Sequence, residues 1–363
     1  MGRTKARRAV AFGLVCVCIR CGTSSTQDDA GADAGNADVV TNVDASSDVV
    51  AADATDAADA SDSGAWCRVL NHGDTSSVSS GQLVIDSNTI AVLERGATEQ
   101  LESFDRLSGD STGIVTLSPN PPAAFGSGFA SRSGSAYSEI FENPANVYAI
   151  PLDGGARTPL GDGGVPGVGG VLALDTTTVY FANEVNLNVS GALFAVPVDA
   201  GAVTVISNAL AVPVGPFVVD ATHAFMLAGQ PAQLWAIALS GDAGAPVSLA
   251  TTTVPSPPIA DARIVADATK VYWIDGSNRI VSVDKTGGTP SAIYASAGAY
   301  GLAIDGSNLF WTNPGRVMRG TVTGTTATPV VMIGGSPVGG SLVIDTSGIA
   351  WVTQDNAVCY APR

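Results

Sequence analysis

The chain has 363 residues, of which 45% are apolar and only 14% are charged. It contains 33 acidic and 17 basic residues, which give a formal net charge of −16. This acidic balance excludes a protein that binds the phosphate backbone of nucleic acids, and two histidines are too few for a His-rich metal site. After the N-terminal region no apolar run is long enough to span a membrane as a helix.

Residues 1–21 have the layout of a bacterial export signal, with basic residues followed by an apolar run over 9–19. That run is too short to span a membrane stably. Cys16, Cys18 and Cys21 crowd its end, so the segment resembles a bacterial lipoprotein signal, in which such a cysteine becomes the acylated N-terminus. A polar stretch follows Cys21, which is therefore the predicted lipidation site. The alternative is a plain export signal without lipid.

Residues 22–65 differ sharply from the rest of the chain in composition. They contain ten Asp, no basic residue and no aromatic residue. Such a segment cannot bury enough apolar surface to offset its chain entropy, and its like charges repel one another. We expect a disordered acidic tether between the signal and the domain that begins at residue 66.

Residues 66–363 repeat one pattern seven times: a short apolar strand, an acidic residue, a turn, and an apolar or aromatic strand. The residue before the turn is Asp86, Arg132, Asp175, Asp220, Asp267, Asp305 or Asp345, so one copy has Arg in place of Asp. A second motif, a strand followed in most copies by a Gly-rich turn, also occurs seven times, at spacings of 37 to 46 residues. Alternating apolar residues bounded by Gly, Asn and Asp predict four strands per unit, here named A to D.

Four strands in about 43 residues are typical of a β-propeller blade. The sequence therefore predicts an all-β fold, a single closed propeller over 66–363, with seven blades and with six or eight as alternatives. The last unit ends without a strand D, and the segment that starts at Trp66 has no unit of its own. Placing this segment as the missing strand closes the ring and removes exposed strand edges.

Ring closure would place Cys67 and Cys359 on neighbouring strands. They are the only cysteines after the signal region, and an exported protein can keep a disulfide. We predict a Cys67–Cys359 disulfide that joins the two ends of the propeller, the alternative being two separate buried thiols. Closing so long a loop would stabilise the fold by at most about 5 kcal/mol.

The stretches 271–275 (VYWID) and 309–313 (LFWTN) resemble the YWTD repeats of LDL-receptor-like propellers. The resemblance is good over the last three units and loose over the others. It implies a propeller that binds ligands and does not catalyse reactions, although that family has six blades. The order of signal, tether and propeller also resembles the tethered propeller lipoproteins of Gram-negative bacteria, myxobacteria especially.

The repeated Asp side chains are predicted to accept hydrogen bonds from amides of the A–B turns, a structural role. Ligands of propellers usually bind at the opposite face, where the B–C and D–A connections surround the channel. The candidate ligand-binding residues there are His72, Glu142, Asn183, Glu184, Asp275, Asn278, Asn313 and Asp355. The residues of the B–C connections among them would form a ring of oxygen acceptors for a hard cation or for sugar hydroxyls, the alternative being ordinary loop polarity.

No nucleophile elbow, zinc-protease motif or phosphate-binding loop occurs, so we expect no catalytic residues, no cofactor and no resident metal. The sequence favours a monomeric binding or scaffold module, exported to the cell envelope and held at the outer membrane or cell surface only by a lipid. Its partner would be an envelope protein, a glycan or a cation. The alternatives are a lyase or hydrolase that acts on extracellular polysaccharide through channel-face carboxylates, and a periplasmic assembly subunit.

Overall fold

The computed structural model describes residues 65–69, 83–95, 99–118, 125–140, 146–161, 168–186, 190–240, 245–252, 264–295, 298–324, 326–332, 337–353 and 357–363. The predicted signal with Cys21, residues 22–64 of the predicted tether, and the candidates His72, Glu142 and Asp355 lie outside these ranges. Within them, every regular element is a β-strand.

The strands follow one another in groups of four along the chain. Strand β1 is Trp66–Val69, and the first blade consists of β2 (Leu83–Asp86), β3 (Thr89–Arg95), β4 (Glu99–Asp105) and β5 (Ser111–Ser118). Blade 2 consists of β6 (Phe125–Arg132), β7 (Ser135–Ile140), β8 (Asn146–Pro151) and β9 (Thr158–Pro159). Blade 3 consists of β10 (Val168–Leu174), β11 (Thr178–Asn186), β12 (Ser190–Pro197) and β13 (Thr204–Leu210). Blade 4 consists of β14 (Val214–Val219), β15 (His223–Ala228), β16 (Gln233–Ala238) and β17 (Val247–Thr251).

Blades 5 to 7 repeat the arrangement. Blade 5 consists of β18 (Ile264–Ala266), β19 (Lys270–Ile274), β20 (Ile280–Asp284) and β21 (Ser291–Tyr294). Blade 6 consists of β22 (Leu302–Asp305), β23 (Asn308–Asn313), β24 (Arg316–Thr321) and β25 (Ala327–Met332). Blade 7 contains β26 (Pro337–Ile344), β27 (Gly348–Thr353) and β28 (Ala357–Pro362), with β1 as its fourth strand.

These strands form seven antiparallel four-stranded sheets, which confirms the predicted blade number. The strand A of each blade contacts the strand A of the next, and β26 contacts β2, so the ring is closed. Because each sheet is antiparallel, its A–B and C–D turns lie at one end and its B–C and D–A connections at the other. We call these two ends the turn face and the mouth face.

The hydrophobic core is divided into clusters that lie between neighbouring blades. Tyr180 and Leu193 of blade 3, for example, pack with Phe217 and Met226 of blade 4. A sheet covered on both sides needs apolar residues at successive positions, and this is why all six residues of β27 are buried. The aromatic residues of the B strands are buried in these clusters, among them Tyr272, Trp273 and Trp311.

The last blade is completed by the N-terminal strand, as predicted. Strand β1 pairs with β28 so that Cys67 lies directly opposite Cys359, with their Cα atoms 4.0 Å apart. A disulfide joins the two residues, 292 positions apart in the sequence. The Trp66 indole also donates a hydrogen bond of 2.7 Å to the carbonyl oxygen of Arg106 in blade 1, so β1 contacts the blades on both sides of the closure.

The turn face shows that four of the repeated aspartates have the predicted role. One carboxylate oxygen of each accepts hydrogen bonds of 2.6–2.9 Å from the amides two and three residues on; the four are Asp175, Asp220, Asp267 and Asp345. Asp86 and Asp305 instead flank two-residue turns, in which they pair directly with Thr89 and Asn308.

The second carboxylate oxygen of several of these residues reaches another blade, which the sequence did not predict. Lys285 of blade 5 donates to Asp220 of blade 4 at 2.7 Å, and Arg106 of blade 1 donates to Asp345 of blade 7 at 3.1 Å. Arg363, the last residue, binds Asp305 in the same way. A repeated residue of the turn thus also ties neighbouring blades together.

Candidate functional site at the mouth face

Five of the eight predicted ligand residues fall within the described ranges, and they lie on three different blades. Asn183 and Glu184 are on β11 of blade 3, Asp275 and Asn278 in the B–C turn of blade 5, and Asn313 at the end of β23 in blade 6. The blade 5 and blade 6 residues are brought together and those of blade 3 lie apart from them. No three acidic, His or Cys side chains converge as a metal site in the described part of the chain.

Asp275 is buried in its own turn, and hydrogen bonds use both of its oxygens. One oxygen accepts from the amides of Ser277 at 2.9 Å and Arg279 at 3.0 Å. The other accepts from Nε and Nη2 of Arg279 at 2.8 and 2.6 Å. Burial alone would raise the pKa of Asp275, but the hydrogen bonds from Arg279 and Ser277 and the charge of Arg279 together outweigh it and lower the pKa. Asp275 therefore stays charged and fixes the orientation of the Arg279 guanidinium.

The connection from blade 5 to blade 6 joins the B–C turns of both blades. Asn278 adopts a left-handed conformation with φ of 55°, and its carbonyl oxygen accepts a hydrogen bond of 3.3 Å from the amide of Ala299. The next residue, Tyr300, donates its amide to the carbonyl oxygen of Thr312 at 3.0 Å. Tyr300, which the sequence did not indicate as a candidate binding residue, is 40% exposed.

Asn313 is the least satisfied polar residue of this region. Its side-chain carbonyl oxygen is buried and accepts no hydrogen bond from the described residues. It pairs across the two-residue B–C turn with Arg316, which is exposed. A bound water or a ligand hydroxyl would supply the missing donor.

A buried acid on blade 2, which the sequence did not indicate as a site residue, is hydrogen-bonded to Asn183 of blade 3. The side-chain amide of Asn183 donates a hydrogen bond of 2.7 Å to Oε1 of Glu139 on β7, while Glu184 is half-buried. Glu139 is 1% exposed, and burial raises its pKa to about 7, with the Asn183 hydrogen bond acting in the opposite direction. Its other oxygen is buried without a hydrogen-bond partner in the described residues. Glu139 occupies the mouth-side end of a B strand.

The centre of the ring contains a cavity of about 360 Å³. It is lined by the A strands of blades 1, 2, 5, 6 and 7, mainly through Val, Leu, Ile, Ala and Phe residues. Among the described strands, each A strand pairs only with the B strand of its own sheet, so its inner edge has no strand partner there. The channel wall is thus apolar in its side chains and polar along the exposed strand edges.

Comparison with known proteins shows the fold and no family. No protein-family profile and no curated protein matches the sequence. A catalytically inactive virginiamycin B lyase from Staphylococcus aureus, solved with quinupristin, is similar with a TM-score of 0.55 at 14% identity, over 82% of this chain and 99% of that one. The computationally designed protein Ika8 has a TM-score of 0.50 at 9% identity, over 80% and 98%.

BamB from Moraxella catarrhalis is similar with a TM-score of 0.48 at 15% identity, over 81% of this chain and 87% of that one. In the described residues no helix is long and apolar enough to cross a membrane. The sheet order, together with the likeness to virginiamycin B lyase in fold, establishes the chain as a β-propeller of seven four-stranded blades.

Proposed function

We propose that this chain is a non-enzymatic binding module displayed at the bacterial cell envelope, with the mouth face as its binding surface. The observation that carries the proposal is the hydrogen-bonded bridge between blades 5 and 6, which holds Arg279 and Tyr300 in place. The bridge leaves 44% of the Arg279 side chain and 40% of Tyr300 exposed. Rigid, exposed polar and aromatic groups are suited to recognition, because little side-chain entropy is lost on binding.

The envelope location rests on the sequence, in which a lipoprotein-like signal and an acidic tether precede the propeller. Its test is fractionation and labelling with radioactive palmitate of cells that express the full chain. Cys21→Ser should abolish the label, whereas Cys16→Ser and Cys18→Ser should retain it. An unlabelled chain that is released to the medium would contradict the lipid anchor and leave a plain export signal.

Binding is tested by thermal unfolding of the purified chain with envelope glycans and divalent cations, together with product analysis of the same mixtures. A ligand at 100 times its dissociation constant stabilises the native state by about 2.7 kcal/mol. We expect stabilisation by at least one ligand class with no product formed. Product formation by the wild-type chain would contradict a purely binding function.

A lyase or hydrolase is the second candidate function, and Glu139 is the observation that favours it. A buried carboxyl group with a pKa of about 7 is the type of group that serves as a general acid or base. The likeness to virginiamycin B lyase concerns the fold alone. If a product is found, Glu139→Gln should abolish its formation, and an unchanged rate would remove Glu139 from consideration.

A further inference from the structure

We propose that the mouth face of blades 5 and 6 binds an acidic oligosaccharide, such as a chain of uronic acids, across Arg279, Tyr300 and Arg316. We call these three residues the Arg–Tyr platform. This proposal rests on the proposed binding function and adds to it the class of ligand and the position of the site.

The platform is assembled by backbone hydrogen bonds. Ala299 is bonded to Asn278 of the turn that carries Arg279, and its neighbour Tyr300 is bonded to Thr312, close to the turn that carries Arg316. The amide of Gly301 adds a bond of 2.8 Å to Oγ1 of Thr312. Tyr300 therefore lies between the two arginine-bearing turns, anchored on both sides.

The local charge is opposite to that of the whole protein. The chain carries a net charge of −16, yet the described mouth-face residues of blades 5 and 6 contain two arginines and a single acid, Asp275. Asp275 is 3% exposed in its side chain and paired with Arg279. Arg316 forms no ion pair with another described residue, so the platform has an excess positive charge. The other described Lys and Arg side chains in ion pairs are bound to Asp residues outside the mouth face, at the turn face or along the outer strands.

The chemistry of the three side chains matches a charged sugar chain. Arginine binds carboxylates by charge-assisted hydrogen bonds, and Asp275 orients one of the two guanidinium groups for this purpose. The electron-rich face of an exposed tyrosine attracts the polarised C–H groups of a sugar ring. All three residues are exposed and the two arginines lie in the B–C turns of neighbouring blades, so a polymer that runs from one blade to the next would pass both arginines.

The test is calorimetric titration of the full chain with oligogalacturonate, with its methyl ester as the neutral probe and poly-glutamate as an acidic peptide. We expect oligogalacturonate to bind, its affinity to fall as salt is added, and the methyl ester to bind at least about tenfold more weakly. Poly-glutamate should bind weakly, because it has no ring to stack on Tyr300.

Three variants locate the site. Arg316→Gln and Tyr300→Ala should each weaken oligogalacturonate binding at least about tenfold. Arg319→Gln is the matched control, since Arg319 is also exposed on β24 and lies three residues from Arg316. It should bind within about twofold of the wild type, and unfolding temperatures near that of the wild type will show that all three variants fold.

The outcomes separate this proposal from the proposed function. Equal binding by the wild type, Arg316→Gln and Tyr300→Ala would overturn the site while leaving a glycan-binding module elsewhere on the propeller. Binding of only neutral glycans or cations would overturn the acidic ligand and leave the binding function intact. Poly-glutamate binding as tight as that of oligogalacturonate would assign the platform to acidic peptides and overturn the saccharide. Conversion of glycans to products would contradict the binding function itself.

Discussion

Glu139 makes the stability of the propeller depend on pH in a way that one substitution should remove. The carboxyl group is 1% exposed between blades 2 and 3, and burial raises its pKa from 4.5 to about 7. The native state thus holds the proton more tightly than the unfolded chain does. The contribution of Glu139 to stability is fully present below about pH 4.5 and is lost as the pH rises to about 7.

The size of the effect follows from the pKa shift. A rise from 4.5 to about 7 corresponds to about 3 kcal/mol of stability lost above neutral pH. Glu139→Gln keeps an oxygen that can accept the hydrogen bond from Asn183 but carries no charge. At pH 8 the variant should therefore be more stable than the wild type by about 3 kcal/mol, and at pH 5 the difference should shrink to about 1 kcal/mol or less.

Urea unfolding at the two pH values, followed by the fluorescence of the five tryptophans, measures this difference. Other titrating groups contribute equally to both proteins and cancel in the comparison. If the stability difference between Glu139→Gln and the wild type were the same at pH 5 and pH 8, the reasoning would be refuted.

Three further predictions concern contacts that hold the ring together. Cys67→Ser should lower the free energy of unfolding, measured with urea, by about 3–5 kcal/mol. A reducing agent should destabilise the wild type and leave the stability of the variant unchanged. Lys285→Met should destabilise by about 1 kcal/mol at pH 7 through loss of the pair with Asp220. The hydrogen bond from Lys285 helps to lower the Asp220 pKa below its ordinary 3.8, so the difference in unfolding free energy between variant and wild type should diminish below that pH. A difference that stays constant with pH would contradict the role of this ion pair. Gly128→Ala would place a Cβ 2.0 Å from the backbone nitrogen of Leu172. We therefore expect the free energy of unfolding to fall by several kcal/mol, or the variant not to fold. A melting temperature near that of the wild type, measured by circular dichroism, would contradict the close packing of blades 2 and 3.

The blade number, ring closure and disulfide could be predicted because they depend on features that recur or stand out in the sequence. The repeated Asp marks each A–B turn whatever its neighbours are, and Cys67 has a single possible partner in the propeller. Such local signals identify strands, and closure then follows from the need to pair the last strand.

The side-chain contacts between blades could not be predicted, because they join residues that lie far apart in the sequence and are not related by the repeat. The ion pair of Arg106 and Asp345 spans 239 positions. Glu139 was missed because an acid near the end of an apolar strand gives no hint of whether it faces solvent or a neighbouring blade. Asp275 was selected for its polarity, and only the structure shows that Arg279 already occupies both of its oxygens.

The position of β1 also sets the face of the ring at which the polypeptide enters the propeller. Trp66 contacts Arg106 at the turn face, and the strand then runs toward the mouth face, where Val69 pairs with Ala357. The polypeptide therefore enters the ring on the side opposite to the Arg–Tyr platform. A long polymer could therefore cross the platform without meeting the point at which the polypeptide enters the ring.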